Sequence, residues 1–261
     1  MQTKRVFSKL AQKTHMPFYS DGTLLFCLND KPIRHKADKK VRQFLHKENL
    51  EVAYRPWKLA RAEWASKKIH KINCPMPAEA ILCNPTFYEE NGILNVSFIA
   101  GIQNNGINQY HLYQMTGDSW DSLSQPQIVG RGPARTGFVN SRFFCLGSTR
   151  DLMLLDRQKH ERFRLTTSLQ EISRAIYDPE NPTRLLITGR NQSNEYLTLL
   201  FNTETKEVQE IRGPAPCYKA CLVGNRIVFS YRESEELEDY QIHVAPAIFN
   251  PTSETVQMVQ G

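Results

Sequence analysis

The amino-acid sequence predicts an all-β fold built from five copies of a four-stranded antiparallel unit, and two observations support this prediction. The first is the segment 84–101, in which Glu90-Asn91-Gly92 joins two β-rich runs. Asn-Gly between such runs is a strong hairpin signal, because both residues tolerate a positive φ. The second is that similar hairpins recur at 17–26, 137–145, 175–187 and 220–229. A repeat of about 40–60 residues, each with two further β-rich runs, predicts a five-bladed β-propeller.

The repeats divide the chain into five blades of one domain, 1–261, because single blades cannot bury both faces and must stack in a ring. The expected blades are about 14–73, 74–131, 132–168, 169–213 and 214–261. Residues 1–13 form a closing segment, in which we expect Arg5–Leu10 to pair beside the last blade. Thr255–Val259 is predicted as the fourth strand of blade five.

Blade one differs from the others because a basic insertion, 30–49, separates its second and third strands. Apolar residues recur at roughly helical spacing within Ala37–Lys47, which predicts a short helix. Leu50–Trp57 and Lys67–Ile72 are the predicted third and fourth strands. Between them, Arg61–Trp64 is interpreted as a second helical turn.

Composition excludes several classes of protein. Hydrophobic residues make up 40% of the chain and the mean hydropathy is −0.49, which indicates a packed core without a membrane span. The basic N-terminus has no apolar core, so we expect synthesis in the cytoplasm without a signal peptide. The six cysteines have no CxxC spacing and the seven histidines form no paired motif, so no metal and no cofactor is predicted. We interpret the cysteines as reduced, buried thiols.

The positive charge is concentrated in blade one. Residues 31–71 contain 13 Lys/Arg and 4 Asp/Glu, a net +9 within a total of +6, so the rest of the chain sums to −3. Two interpretations remain open: a solvated surface, or a contact with an acidic protein or polyanion. The aromatic residues among these charges alternate like core residues, so we do not expect a nucleic-acid partner. The candidate partner contacts are Lys31, Arg34, Lys36, Lys39, Lys40, Arg42 and Lys47.

The first strand of each blade should line a central channel. Aligning the five copies places small residues or prolines at one position, and the residues before them should converge at the channel mouth: Met16, Asn84, Thr136, Arg174 and Lys219. Arg174 and Lys219, with the neutral Asn84 and Thr136, are a candidate site for a carboxylate, sulfate or phosphate. The alternative is that each cation pairs with an acidic neighbour in the sheet.

The segment Asn84-Pro85-Thr86-Phe87-Tyr88 and the predicted architecture resemble the arabinanase, β-xylosidase and invertase glycosidases. The resemblance implies a catalytic base at position 16, a pKa-tuning helper at 84 and an acid at 136. This sequence has Met16, Asn84 and Thr136 there, and none of them ionises at neutral pH. Glycosidic cleavage requires two carboxyl groups, so this mechanism is not predicted. The nearby acids, Asp21, Glu89, Glu90 and Asp178, lie at expected hairpin turns.

Three functional hypotheses follow. The first is a non-catalytic propeller that serves as a rigid binding and assembly module in a larger complex, for which a virus or phage particle is one hypothesis. It would contact protein partners through the basic insertion and the blade-edge loops. The second is a lectin-like binder of an anionic glycan at the channel mouth. The third is a glycoside hydrolase whose acids come from loops outside the alignment.

Overall fold

The structure, a computed structural model, is an all-β five-bladed propeller, which confirms the predicted fold class. It describes residues 3–7, 14–29, 57–77, 80–104, 107–131, 136–213, 218–231 and 241–261. All regular structure within these ranges is β-strand. The basic insertion, its predicted helix and its seven candidate contact residues lie outside the described residues.

In each blade, strands that are consecutive in the chain are neighbours in the sheet, and the first of them lies at the channel. A short strand β1 (Lys4–Arg5) precedes the first blade. Blade one contains β2 (Thr14–Ser20), β3 (Thr23–Asn29), β4 (Trp57–Glu63) and β5 (Ile69–Lys71). Blade two contains β6 (Ile81–Glu90), β7 (Ile93–Asn104), β8 (Ile107–Gly117) and β9 (Gln127–Arg131).

The other three blades continue this order. Blade three contains β10 (Gly137–Val139), β11 (Phe143–Gly147), β12 (Asp151–Asp156) and β13 (Glu161–Thr167). Blade four contains β14 (Glu171–Asp178), β15 (Asn181–Arg190), β16 (Tyr196–Asn202) and β17 (Val208–Arg212). Blade five contains β18 (Tyr218–Val223), β19 (Arg226–Tyr231) and β20 (Gln241–Pro246), and the chain ends with β21 (Ile248–Pro251) and β22 (Val256–Gln260).

The inner strands close the ring. β2 contacts β6, β6 contacts β10, β10 contacts β14, β14 contacts β18, and β18 returns to β2. Aromatic rings from four of these strands pack at the centre: Phe18 lies 5.6 Å from Phe87 and 5.0 Å from Tyr177, and Phe138 lies 5.4 Å from Tyr177. The Tyr177 hydroxyl donates a 2.6 Å hydrogen bond to the carbonyl of Phe87, so its polar atom is satisfied inside this apolar layer.

Both ends of the described chain bind blades that lie far away in sequence. β1 pairs with β20 and supplies the fourth strand of blade five. Of the segment Arg5–Leu10 that was expected to pair there, Arg5 lies in β1, and residues 8–10 lie outside the described part of the chain. The prediction that Thr255–Val259 fills this place was therefore wrong. β21 pairs with β17 and β22 pairs with β13, so blades three and four have five strands each. The physical reason is that the N-terminal segment already occupies the outer edge of β20, where β1 pairs with His243 and Val244 and the N–H of Val6 donates to the carbonyl of Ile242.

The third strand of blade one also differs from its prediction. Of the predicted strand Leu50–Trp57, only Trp57 lies in the described part of the chain, and β4 continues from it to Glu63, so Arg61, Ala62 and Glu63 of the predicted helical turn are strand. Lys58-Leu59-Ala60-Arg61-Ala62-Glu63 consists of residues that favour helices. Seven consecutive pairings with β3 nevertheless hold it as a strand and bury Leu59, Ala60 and Ala62. Burial of apolar side chains in the sheet outweighs local propensity here.

Gly189 occupies a position where the backbone of blade four is too close for a side chain. It lies opposite Ile172, next to the register shift between Ile172 and Arg174. A Cβ atom built at Gly189 would lie 2.1 Å from the carbonyl oxygen of Glu171. A carbonyl in a paired sheet cannot rotate away freely, so glycine permits the close approach of the two strands.

We expect Gly189→Ala to lower the free energy of unfolding by about 1–3 kcal/mol, because the new methyl group forces the two strands apart. Chemical denaturation of the purified chain measures this. Gly224→Ala is the control: Gly224 has φ +55° and no atom within 4 Å of a built Cβ, so that variant carries only a conformational cost. An equal or smaller loss for Gly189→Ala would contradict the steric explanation.

Candidate functional site

The residues aligned at the channel mouth sit at a repeated irregularity of the inner strands. Met16, Asn84 and Lys219 adopt left-handed backbone conformations, with φ of 54°, 52° and 52°. Each lies within a register shift between the first two strands of its blade. Such bulges redirect side chains out of the regular alternation of a strand. They aim these residues toward the axis of the ring.

Arg174 is the centre of the site, and its side chain is almost completely buried at 1% exposure. Its Nε donates a 2.8 Å hydrogen bond to Oδ1 of Asn84. Its Nη1 donates to the carbonyl oxygens of Pro17 at 2.8 Å and Lys219 at 2.6 Å. Its Nη2 lies 3.5 Å from the carbonyl oxygen of Met16, a long contact. One guanidinium group therefore joins blade four to blades one, two and five.

Asn84 extends this network to the remaining blade. Its Nδ2 donates to the carbonyl oxygens of Gly137, at 2.7 Å, and Ala175, at 3.0 Å, and it lies 3.3 Å from Oγ1 of Thr136. The same Oγ1 accepts a 2.7 Å hydrogen bond from the backbone N–H of Ala175. The five blades are thus linked through two buried side chains, Arg174 and Asn84. We call the side chains of Asn84, Thr136 and Arg174 the hub network.

Lys219 lies beside the hub network and contacts blade one. Its Nζ is 2.8 Å from Nε2 of His15, a buried histidine on β2. Burial lowers the pKa of His15 well below its usual value, and the positive charges of Lys219 and Arg174 lower it further. A neutral imidazole can accept a hydrogen bond from the ammonium group, which fits this arrangement.

The charge of Arg174 has an unusual environment. Within the described part of the chain no carboxylate contacts its guanidinium group, so the pairing of Arg174 with an acidic neighbour is not seen there. Burial lowers its pKa to about 10, which leaves it protonated at neutral pH. The prediction that Asn84, Thr136, Arg174 and Lys219 bind a ligand stays a prediction. The structure brings the four together and bonds them to one another and to backbone carbonyls.

The acidic residues of the hairpin turns lie at the other end of the inner strands. Asp21 and Asp178 line one cavity of about 220 Å³, together with Glu180 and Tyr19. Burial raises the pKa of Asp178, although its Oδ2 forms an ion pair with Nη2 of Arg184 at 2.6 Å. The sequence predicts Asp21 and Asp178 only as turn residues, and it gives no signal for this cavity between blades one, four and five.

The remaining metal-ligating and nucleophilic side chains of the described residues form no reactive cluster. Among the described residues, no group of three or more His, Cys, Asp and Glu side chains could hold a metal ion. Cys27, Cys83, Cys145 and Cys221 are buried free thiols, as expected, and Cys74 is partly buried. Burial raises the pKa of Cys221 and Cys74 to about 12, which makes both poor nucleophiles. No helix in the described ranges is long and apolar enough to cross a bilayer.

No protein-family model matches the chain, and no curated protein matches it. Solved structures do show similarity. One is a GH43 β-xylosidase/α-arabinofuranosidase from a compost microbial metagenome, with 7% identity, a TM-score of 0.46, and 100% of this chain and 94% of that chain covered. Another is a GH43_1 enzyme from Xanthomonas citri, with 11% identity, a TM-score of 0.44 and coverage of 94% and 89%.

A third similar structure is an oligogalacturonate lyase from Vibrio parahaemolyticus, with 11% identity and a TM-score of 0.34. The alignment covers 86% of this chain but spans only 62% of the lyase.

We expect Arg174→Met to lower the free energy of unfolding by about 2–4 kcal/mol, because the Asn84 amide oxygen and two carbonyl oxygens lose their buried donor. Denaturant unfolding measures this loss. Arg162→Met, at an exposed position on β13, is the matched control and should change stability by less than about 0.5 kcal/mol. A loss equal to that of the control would show that the hub network is not stabilising.

The free energy of unfolding should fall as the pH drops from about 7 to 5. The unfolded chain takes up a proton on His15 near its usual pKa, whereas the folded chain, with a lowered pKa, does not. Stability therefore decreases by up to about 1.4 kcal/mol per pH unit from this group. His15→Gln should reduce the slope relative to the unchanged protein. Identical slopes in the two proteins would refute the assignment.

Proposed function

We propose that this protein is a non-catalytic β-propeller that acts as a rigid binding module within a larger assembly. The observation that supports this most directly is the hub network, in which Arg174 and Asn84 join the inner strands of all five blades. A centre held by buried, mutually satisfied hydrogen bonds is stiff, because each bond would be costly to break without a replacement. Partner binding then belongs to the rim of the ring.

The basic insertion is the proposed contact surface. Residues 31–71 carry a net +9, and seven Lys/Arg lie between Lys31 and Lys47. Such a concentration of charge accelerates and orients the approach of an acidic protein surface. The partner we propose is accordingly a protein with an acidic face. One hypothesis for the larger assembly is a virus or phage particle.

A charge-neutralised variant tests this proposal. The seven residues from Lys31 to Lys47 are changed to Gln, and the full chain is cross-linked in extracts of its native source, with cross-linked peptides identified by mass spectrometry. In the unchanged protein we expect cross-links from the insertion to one defined acidic protein. The variant should not form these cross-links. The control changes Arg150, Lys159 and Arg162, exposed basic residues of blade three, to Gln and should retain them. Retention of the same cross-links without the seven charges would overturn the proposal.

An anionic glycan at the channel mouth is a second candidate. The observation that favours it is the cluster of two cationic side chains, Arg174 and Lys219, around neutral hydrogen-bonding groups. We place it second, because Nε and Nη1 of Arg174 donate to groups of the chain itself. Binding on an array of sulfated and uronic-acid glycans that Lys219→Met abolishes would support it. Absence of binding in the unchanged protein would refute it.

A further inference from the structure

Among the described residues, the outermost strand of blade three, β22, is paired along one edge and not along the other, which we call its open edge. β22 pairs with β13 over five consecutive residues without a register shift, from Phe163–Gln260 to Thr167–Val256. No described strand pairs with its other edge. Val259 on this strand is the most exposed of the large apolar residues in the described chain, at 61%.

The hydrogen-bond pattern fixes which groups point outward. Gly261 donates its N–H to the carbonyl of Arg162, and Ser168 donates to the carbonyl of Thr255. Backbone groups of an antiparallel strand point alternately to its two sides. Thr255 and Gly261 direct their backbone groups toward β13, and the alternation means that Gln257 and Val259 do the same. The N–H and C=O groups of Val256, Met258 and Gln260 therefore point toward the open edge.

The other four outer edges carry features that discourage pairing with another chain. β1 has two residues, both basic, and β5 has three and ends in Lys71. β9 has a register shift and ends in Arg131, and β21 ends in Pro251. Charges, bulges, short strands and proline are the common means of protecting an edge. β22, with the sequence Val-Gln-Met-Val-Gln, has none of them.

We infer that the open edge of β22 binds the β22 of a second copy of this chain in an antiparallel, two-fold symmetric pair centred on Met258. In this register Met258 lies opposite itself, and Val256 lies opposite Gln260 of the second copy. All three outward-pointing residues then form backbone hydrogen bonds. The strand itself has no charged side chain, so none of its own residues meets a like charge across the pair. The nearest cation is Lys206, whose Nζ lies 3.3 Å from Sδ of Met258 and also donates to the carbonyl of Thr203 in its own copy. The two five-stranded blades become one ten-stranded sheet.

The neighbouring surface is compatible with this pairing. Val259 lies in a cross-strand row with Arg164 and Met153, and Met153 is 47% exposed. Arg164 is paired with Asp151 at 2.6 Å, so the charge in this row is compensated within its own blade. A contact limited to one strand and its flanks is small, so we expect a dissociation constant on the order of 10–100 µM.

Sedimentation velocity of the full chain over a concentration series tests the inference. We expect a concentration-dependent monomer–dimer equilibrium. Gln260→Pro removes an outward N–H while sparing the bonds to β13, and should weaken dimerisation at least about tenfold. Gln260→Ala, which keeps the N–H, should dimerise like the unchanged protein. The inference would be overturned if the protein stayed monomeric at concentrations up to about ten times the expected dissociation constant. A dimer that Gln260→Pro does not weaken would overturn it as well.

A cross-link tests the register independently of affinity. Residues opposite each other in a hydrogen-bonded antiparallel pair have Cα atoms about 5.5 Å apart, within the range of a disulfide. Met258→Cys should therefore form a disulfide-linked dimer under mild oxidation, bridged at position 258 in both copies. The unchanged protein controls for its native thiols. A dimer bridged elsewhere, or no bridged dimer at concentrations where sedimentation detects dimer, would refute the register.

Discussion

The buried guanidinium group of Arg174 is the constraint on which the rest of this structure depends. A planar group with five N–H donors, removed from water, requires acceptors at fixed positions. Here the acceptors are the Asn84 side chain and the carbonyl oxygens of Pro17 and Lys219, which come from three other blades. Neutral acceptors satisfy the donors without a carboxylate among the described residues. The ring must therefore close accurately for the charge to be tolerated.

The centre of the ring is filled by hydrogen bonds between the blades. At the positions where the resembled glycosidases have their carboxylates, this chain has Met16, Asn84 and Thr136. Two of them take part in the hydrogen bonds of the centre. Asn84 accepts from Arg174 and donates to the carbonyl of Gly137, and Thr136 accepts from the backbone N–H of Ala175. These polar atoms join the blades to one another, which is why we propose that binding occurs at the rim.

The parts that were predictable from sequence are those in which local pattern and global fold agree. Asn91-Gly92 lies at the hairpin turn between β6 and β7, and the aligned positions of Asn84, Thr136, Arg174 and Lys219 do converge. The failures have one cause in common. Lys58–Glu63 favours a helix by composition but pairs with β3, and β22 pairs with a strand about a hundred residues earlier in the chain. Contacts that are distant in sequence decided both.

The sequence alone determined the repeat, the strand period and the identities of the hub residues, because hydrophobic alternation and turn chemistry act over a few residues. Only the tertiary structure decided which strand completes each blade and where the donors of Arg174 point. Those outcomes depend on which backbone edges and carbonyl groups are still unsatisfied once the ring has closed. β1 pairs with the edge of β20, and of the C-terminal strands β21 pairs with β17 of blade four and β22 with β13 of blade three.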